Sequence, residues 1–240
     1  MPTVLSTKIM SPSQRELLLN SGVGFVEYEA ITIRLIDFTI SKPHDNLIFT
    51  SQNAVKSYTK KENSEKRSKI SAFCVGEKTK SMLEDLGFTV ISNAQNAEEL
   101  AKNIVALHKN KAFLFLSGNK RRDELPNILK KNNVRYSEVV IYETTLNPKK
   151  FERRFDGVLF FSPSGVESFV VENNLRDTIA FCIGATTASE AKKYTNKIIL
   201  ANKQTIENVI VKAVKHLSAH YQGDVTPLSA KGGLSPRGDN

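Results

Sequence analysis

Tryptophan is absent from the 240 residues and cysteine occurs only twice. Cys74 and Cys182 each sit inside an apolar, strand-like run, so a disulfide framework is excluded and two buried, reduced thiols are expected. No apolar run reaches the roughly 18 residues of a membrane-spanning helix. The opening Met1-Pro-Thr-Val-Leu-Ser-Thr-Lys8 lacks the charged-then-apolar pattern of a secretory signal, so a cytoplasmic protein without membrane contact is expected. Also missing are a P-loop, a GxGxxG after the first strand, CxxC, HExxH and GxSxG. His44, His108, His216 and His220 lie in polar loops or near the ends of helical patterns, where idle, exposed imidazoles are the ordinary reading. Nothing in the sequence calls for a metal or another cofactor.

Positive charge is plentiful: 34 Lys and Arg stand against 25 Asp and Glu, a net +9. That balance raises the question of nucleic acid. The basic residues are dispersed, however. The densest groups, Lys60-Lys61 with Lys66-Arg67, Lys120-Arg121-Arg122, and Lys149-Lys150 with Arg153-Arg154, lack interleaved aromatic residues for stacking bases. A small polyanionic substrate fits the charge, and no nucleic-acid partner is expected.

Comparing the chain with itself organises the rest. Phe49-Thr-Ser51-Gln-Asn-Ala-Val55 returns 111 positions later as Phe160-Phe-Ser162-Pro-Ser-Gly-Val166. Ala72-Phe-Cys-Val-Gly76-Glu-Lys-Thr79 returns as Ala180-Phe-Cys-Ile-Gly184-Ala-Thr-Thr187, and Val90-Ile-Ser-Asn93 as Ile199-Leu-Ala-Asn202. Val4-Leu-Ser6 pairs likewise with Phe115-Leu-Ser117. The chain is therefore a duplication, and two similar lobes around a cleft are expected. Within each repeat, short apolar runs alternate with stretches of helical period, the signature of a parallel sheet with crossover helices. Strands are predicted near 3–6, 23–27, 46–50, 71–75, 88–91, 112–116, 134–140, 156–161, 179–183 and 197–200. Ser11 with Gln14, Ser164 with Glu167, and Asn96 with Glu99 have capping-box spacing. The equivalent segments 31–37 and 141–146 read as extended connectors and candidate hinge strands. From Ser218 onward periodicity ends, and 219–240 reads as a flexible tail.

In parallel α/β sheets ligands gather at the carboxyl ends of strands, where helix N-termini offer free N–H groups. Hydroxyls and glycines cluster there: Thr50-Ser51, Ser117-Gly118-Asn119, Ser162-Pro-Ser164 and Gly184-Ala-Thr186-Thr187. They suit carboxylates or phosphates alike, and for any single hydroxyl an ordinary helix N-cap is the competing account. Arg121 and Arg122 follow the Ser117 turn and suit bidentate carboxylate binding, against a solvated helix face. Tyr142, in a connector, is either a packing residue or a phenol held ready for chemistry; its repeat mate is Ile31.

Taken together and in order, these motifs resemble the uroporphyrinogen-III synthases over residues 3–217. The resemblance rests on Phe49–Val55, Val75-Gly-Glu-Lys-Thr79 with Leu86-Gly-Phe88, Ser117-Gly-Asn-Lys-Arg-Arg-Asp-Glu-Leu-Pro126, Val140-Ile-Tyr-Glu-Thr144, Phe160–Val166 and Ile183-Gly-Ala-Thr-Thr-Ala188. It implies two flavodoxin-like parallel-sheet lobes joined by a two-stranded hinge: 1–36 with 146–218, and 37–145. It also implies a monomeric, cofactor-independent enzyme that dehydrates and closes the linear tetrapyrrole hydroxymethylbilane with its last ring inverted. By resemblance Tyr142 is the catalytic acid. Thr50, Ser51, Thr79, Ser117, Arg121, Arg122, Ser162, Ser164, Thr186 and Thr187 hold the substrate. Lys8 stands where such enzymes commonly carry arginine. Rival readings are a two-lobed binding protein without turnover, and a nucleotide or phosphosugar enzyme, which the absent Gly-rich fingerprint opposes.

Overall fold

A computed structural model describes residues 1–40, 44–62 and 64–223. In chain order its elements are β1 (Thr3–Ser6), α1 (Pro12–Leu19), β2 (Gly24–Glu27), β3 (Ile31–Leu35), β4 (Asn46–Phe49) and α2 (Gln52–Lys61). A 3-10 turn follows, then β5 (Ser71–Val75), α3 (Glu77–Asp85), β6 (Thr89–Ala94), α4 (Ala97–Leu107), β7 (Ala112–Gly118), α5 (Glu124–Lys131) and β8 (Arg135–Leu146). The chain continues through β9 (Gly157–Phe160), α6 (Pro163–Glu172), β10 (Ile179–Cys182), α7 (Ala185–Ala191), β11 (Ile198–Leu200) and α8 (Ile206–Gly223).

Continuous apolar runs mark strands covered on both faces. Every residue of β9 is buried, as is every residue of β7 after Ala112. Side chains alternate between faces, so Leu47 and Phe49 of β4 pack with Ala54, Val55, Tyr58 and Leu83 from α2 and α3. The intervening Ile48 packs with Phe73, Phe113 and Phe115 against Leu100, Ile104, Leu125 and Leu129 of α4 and α5. The other sheet repeats this arrangement. Val158 and Phe160 meet Val166 and Phe169 of α6, and Val4, Leu159 and Phe181 meet Leu18, Val209 and Ile210 of α1 and α8.

Chain contacts divide the molecule into two units, Met1–Ala30 with the chain from Asn147 onward, and Ile31–Leu146. The first unit holds the order β11-β10-β9-β1-β2, all pairs parallel. Renumbered within the unit this is 2-1-3-4-5, the flavodoxin order. The second holds β3-β8-β7-β4-β5-β6, parallel throughout except for β3 against β8. Replacing each of β8, β7, β4, β5 and β6 by its repeat mate reproduces the first order, so the duplication is visible in the topology with the halves exchanged between sheets.

Three expectations need correction. Segment 31–35 belongs with the second unit, not the first, because it forms a ladder with β8 from Ile31↔Leu146 to Leu35↔Tyr142. The boundaries are therefore 30/31 and 146/147 rather than 36/37 and 145/146. Residues 219–223, assigned to the tail, are the last turn of α8, while 224–240 lie outside the described residues. Third, α6 is capped by Ser162, whose side chain accepts from Gly165 N–H, and not by Ser164; Pro163 fits the first helical position, so the helix begins earlier. The Ser11–Gln14 capping box forms completely. Asn96 caps α4 by accepting from Glu99 N–H.

Gly157 has no room for a side chain: an added Cβ would approach the Phe181 ring to 2.9 Å or less. Gly157→Ala is expected to destabilise the first unit by about 1–3 kcal/mol through overpacking, read as a lower urea midpoint at unchanged slope.

Burial, as the leading cause, pushes the Cys74 and Cys182 thiols and the Tyr28 and Tyr58 phenols up to about 12. These groups are neutral when protonated, and the unfolded chain ionises them near their ordinary values of about 8.5 and 10. Their contribution to stability is complete below about pH 8 and is lost as pH rises through the interval up to about 12. Thermal unfolding followed from pH 8 to 11 should show a falling midpoint; a flat profile would contradict the buried assignment.

Candidate functional site

Sheet order decides which strand-end residues become neighbours. In the second unit the order reverses direction at β4 and β7, which lie side by side, and such a switch point is where ligands enter open α/β sheets. The carboxyl end of β4 delivers Thr50-Ser51, that of β7 delivers Ser117-Gly118, and adjacent β5 delivers Gly76 to Thr79. Tyr142 of β8 pairs with Gly118 across a register shift between Ser117 and Gly118. The Tyr142 ring lies over Gly118 so closely that a Cβ there would sit 2.7 Å from Oη and nearer still to the ring carbons. Tyr142 is half-buried, packed against the core around Phe49, and its hydroxyl makes no hydrogen bond among the described residues. The phenol therefore stands at the carboxyl end of β7 with its donor and acceptor capacity unspent.

The first unit has its own switch point at β1 and β9. Their carboxyl ends carry Lys8, which is exposed, and Ser162 with Ser164; β10 adds Gly184, Thr186 and Thr187. Thr186 is exposed and Thr187 buried.

The hydroxyls divide into two kinds. Ser51 and Ser162 are N-caps: their side chains accept from Asn53 N–H at 3.1 Å and Gly165 N–H at 3.0 Å. For these two the ordinary capping account holds. By contrast, α3 and α7 start after Gly76 and Gly184, which bring no side-chain acceptor. Gly76 adopts φ +85, a conformation that disfavours any side chain. The third helical residues are Thr79 and Thr187, repeat mates that are both buried and whose hydroxyls hold no partner among the described residues. Each unit thus contains an uncapped helix start with a threonine hydroxyl beside its first-turn N–H groups. Thr50 and Ser164 are half-buried and likewise without hydrogen bonds among the described residues. Ser117 is 1% exposed and its Oγ has no partner among the described residues.

Arg121 is otherwise engaged. Its guanidinium grips Glu138 through Nε and Nη2 and also bonds Asp123, and the bonds to these two carboxylates, Glu138 foremost, raise its pKa further above its ordinary value. A bidentate pair of this kind leaves little of the fork for a ligand. Arg122 is the more accessible, its side chain 45% exposed and 3.7 Å from Glu124.

Sequence reasoning missed the residues that hold Tyr142 in place. Asn119 joins the β7 turn to the strand beyond Tyr142, accepting from Thr144 N–H at 2.8 Å and donating to the Thr144 carbonyl at 3.3 Å. Ser57 donates to the Ile141 carbonyl. The Gly-Asn pair after an apolar strand was the available signal.

Among the described residues no grouping of three or more His, Cys, Asp and Glu side chains could hold a metal ion, and no helix is long and apolar enough to cross a membrane.

The chain is thus an α/β protein of two doubly wound units whose uncapped helix starts and strand-end hydroxyls present hydrogen-bond donors. The chain belongs to the family described as uroporphyrinogen-III synthase HemD, whose model matches residues 16–210. It is 28% identical over 155 residues to the porphyrin biosynthesis protein HemD of Ruminiclostridium josui, covering 59% of this chain and 31% of that protein's length. In structure it is similar to the uroporphyrinogen-III synthetase of Helicobacter pylori, with TM-score 0.67 and 21% identity over 90% of this chain and 100% of that one. A mutant uroporphyrinogen III synthase from the extremely thermophilic bacterium Thermus thermophilus matches with TM-score 0.67 and 12% identity over 91% of this chain and 100% of that one.

The two kinds of hydroxyl separate in a stability measurement. Ser51→Ala and Ser162→Ala remove caps and are expected to cost about 1 kcal/mol each. Thr79→Val and Thr187→Val remove hydroxyls that bond nothing among the described residues, so the melting temperature should hold or rise. A clear loss in either valine variant would assign that hydroxyl an internal structural role.

Proposed function

We propose that this chain is a uroporphyrinogen-III synthase, converting hydroxymethylbilane to uroporphyrinogen III by loss of water and ring closure with ring D inverted. The observation that carries the reading is the family match across residues 16–210. The open donors at the strand ends support it, since hydroxymethylbilane carries eight carboxylates. The reading includes a monomeric, cytoplasmic enzyme that works without metal or other cofactor.

Loss of the hydroxymethyl hydroxyl leaves an azafulvene cation. The substituted position of the terminal ring attacks it, and the spiro intermediate formed then fragments and recloses. A flexible chain must be held in one shape while this happens, so positioning supplies much of the rate. Tyr142 is the acid in this account: its Oη lies beside Gly118 with no hydrogen-bond partner among the described residues and donates to the departing hydroxyl. Thr79 and Thr187, with the first-turn N–H groups of α3 and α7, bind carboxylates. Thr50, Ser164, Thr186 and Arg122 add further donors, and Ser51 and Ser162 contribute as the helix starts they cap. Ser117 borders the phenol as a neighbour of Gly118. Arg121 acts by bracing the turn through Glu138 rather than by touching substrate.

The test is to incubate the purified protein with freshly generated hydroxymethylbilane, oxidise the products and separate the type I and type III isomers. Predominant type III is expected. Only type I, which forms without enzyme, from a folded sample beside an active control synthase would overturn the assignment. Tyr142→Phe should lower kcat about 10²–10⁴-fold with little change in KM. Thr79→Val and Thr187→Val should instead raise KM, about tenfold each, as a hydrogen bond to a charged group is lost.

A further inference from the structure

We infer that Asn119 is a positioning residue for Tyr142, a polar clamp that fixes where the phenol stands without itself touching the reacting atoms. This inference rests on the catalytic reading of Tyr142 for its kinetic part and on geometry for the rest. Asn119 follows Gly118 directly, so one dipeptide supplies both the space under the ring and the grip on the strand that carries it. Its backbone N–H donates to the Tyr142 carbonyl at 3.3 Å, and its side-chain amide engages both backbone groups of Thr144, accepting at 2.8 Å and donating at 3.3 Å. Three hydrogen bonds from one residue thus span Tyr142 to Thr144.

They fall where the regular ladder fails. The β7–β8 register shifts between Ser117 and Gly118, so that Ser117 faces Val140 but Gly118 faces Tyr142, skipping Ile141. A bulge of this kind re-aims the side chain beside it and, unsupported, leaves the strand free to slip. Asn119 holds the shifted strand along its β7 edge; the opposite edge is held by β3, through the Leu35↔Tyr142 pairing and Ile36 N–H donating to the skipped Ile141 carbonyl at 3.2 Å, and Ser57 of α2 bonds that same carbonyl.

The duplication shows that a β-strand turn of this type closes without the clamp. The repeat mate of Asn119 is Lys8, whose exposed side chain follows a turn closed locally by Ser6 Oγ donating to the Lys8 carbonyl at 2.6 Å. The mate of Tyr142 is Ile31. The amide and the phenol thus lie in the same half, while the other half carries a lysine and an isoleucine at the matching positions.

The experiment uses the full chain with ring-labelled tyrosine, the Tyr142 resonance being assigned by its loss in Tyr142→Phe. Asn119→Ala should shift or broaden that resonance while those of Tyr28 and Tyr58 stay in place, and should lower kcat about tenfold or more with KM within about threefold. Asn119→Asp, which still accepts from Thr144 N–H but cannot donate, should give a smaller effect in the same direction and serves if the alanine variant folds poorly. In the Tyr142→Phe background, Asn119→Ala should cost nothing further in kcat. An unmoved Tyr142 resonance overturns the clamp, as does an equal loss of kcat with and without the phenol. Full activity in Tyr142→Phe together with a moved resonance would instead overturn the catalytic reading of the phenol and leave the clamp standing.

Discussion

Each sheet is closed at its centre by a ladder between strands from opposite repeats: β1 with β9 in one, β4 with β7 in the other. Neither half of the sequence can complete a sheet alone. Val4 lies against Gly157 and Leu47 against Leu114, and these central strands carry the fully buried Leu5, Ile48, Phe49 and Phe160 around which helices pack on both faces. Because the strand order reverses at these ladders, the same pairings that bury the core also open a crevice at the strand ends. Core and binding edge are two ends of one construction.

Strands and their sequence positions were legible because strand burial on both faces writes itself as uninterrupted apolar runs, and because each run occurs twice. Predicted and observed strands agree to within about three residues from 3–6 through 197–200, except that β8 runs on to Leu146 and takes in the segment 141–146 read as a connector. What the pattern does not encode is which strands pair. Segment 31–35 is placed in the first lobe by the resemblance and reads in sequence only as an extended connector; the ladder to β8 assigns it to the second. Likewise α8 ran past the expected end because Ala219 to Gln222 are ordinary helix residues, and loss of apolar periodicity was mistaken for loss of helix.

At the strand ends, residue type was legible and commitment was not. Ser51, Ser162, Thr79 and Thr187 are similar in sequence context, yet two close a helix start and two leave one open. The difference lies in whether the residue before the helix is a hydroxyl or a glycine, a one-residue shift of boundary that helical period alone does not settle. Arg121 likewise looked available because its partner Glu138 is 17 positions away on the neighbouring strand. Asn119 stayed hidden for the reverse reason: its partners are backbone groups, which every sequence supplies equally.

The contiguous unit from Ile31 to Leu146 has all of its strands in hand once that stretch has left the ribosome, whereas β1 and β2 must wait for β9, whose Gly157 pairs with Val4 from 153 positions further on, before their sheet can form. During synthesis the amino-terminal strands therefore spend the longest time as exposed apolar edges, the condition under which nascent chains aggregate or recruit chaperones. Loss of the last strands would strand the first ones, so a chain cut short after Leu146 would keep one finished unit and an orphaned pair of edges.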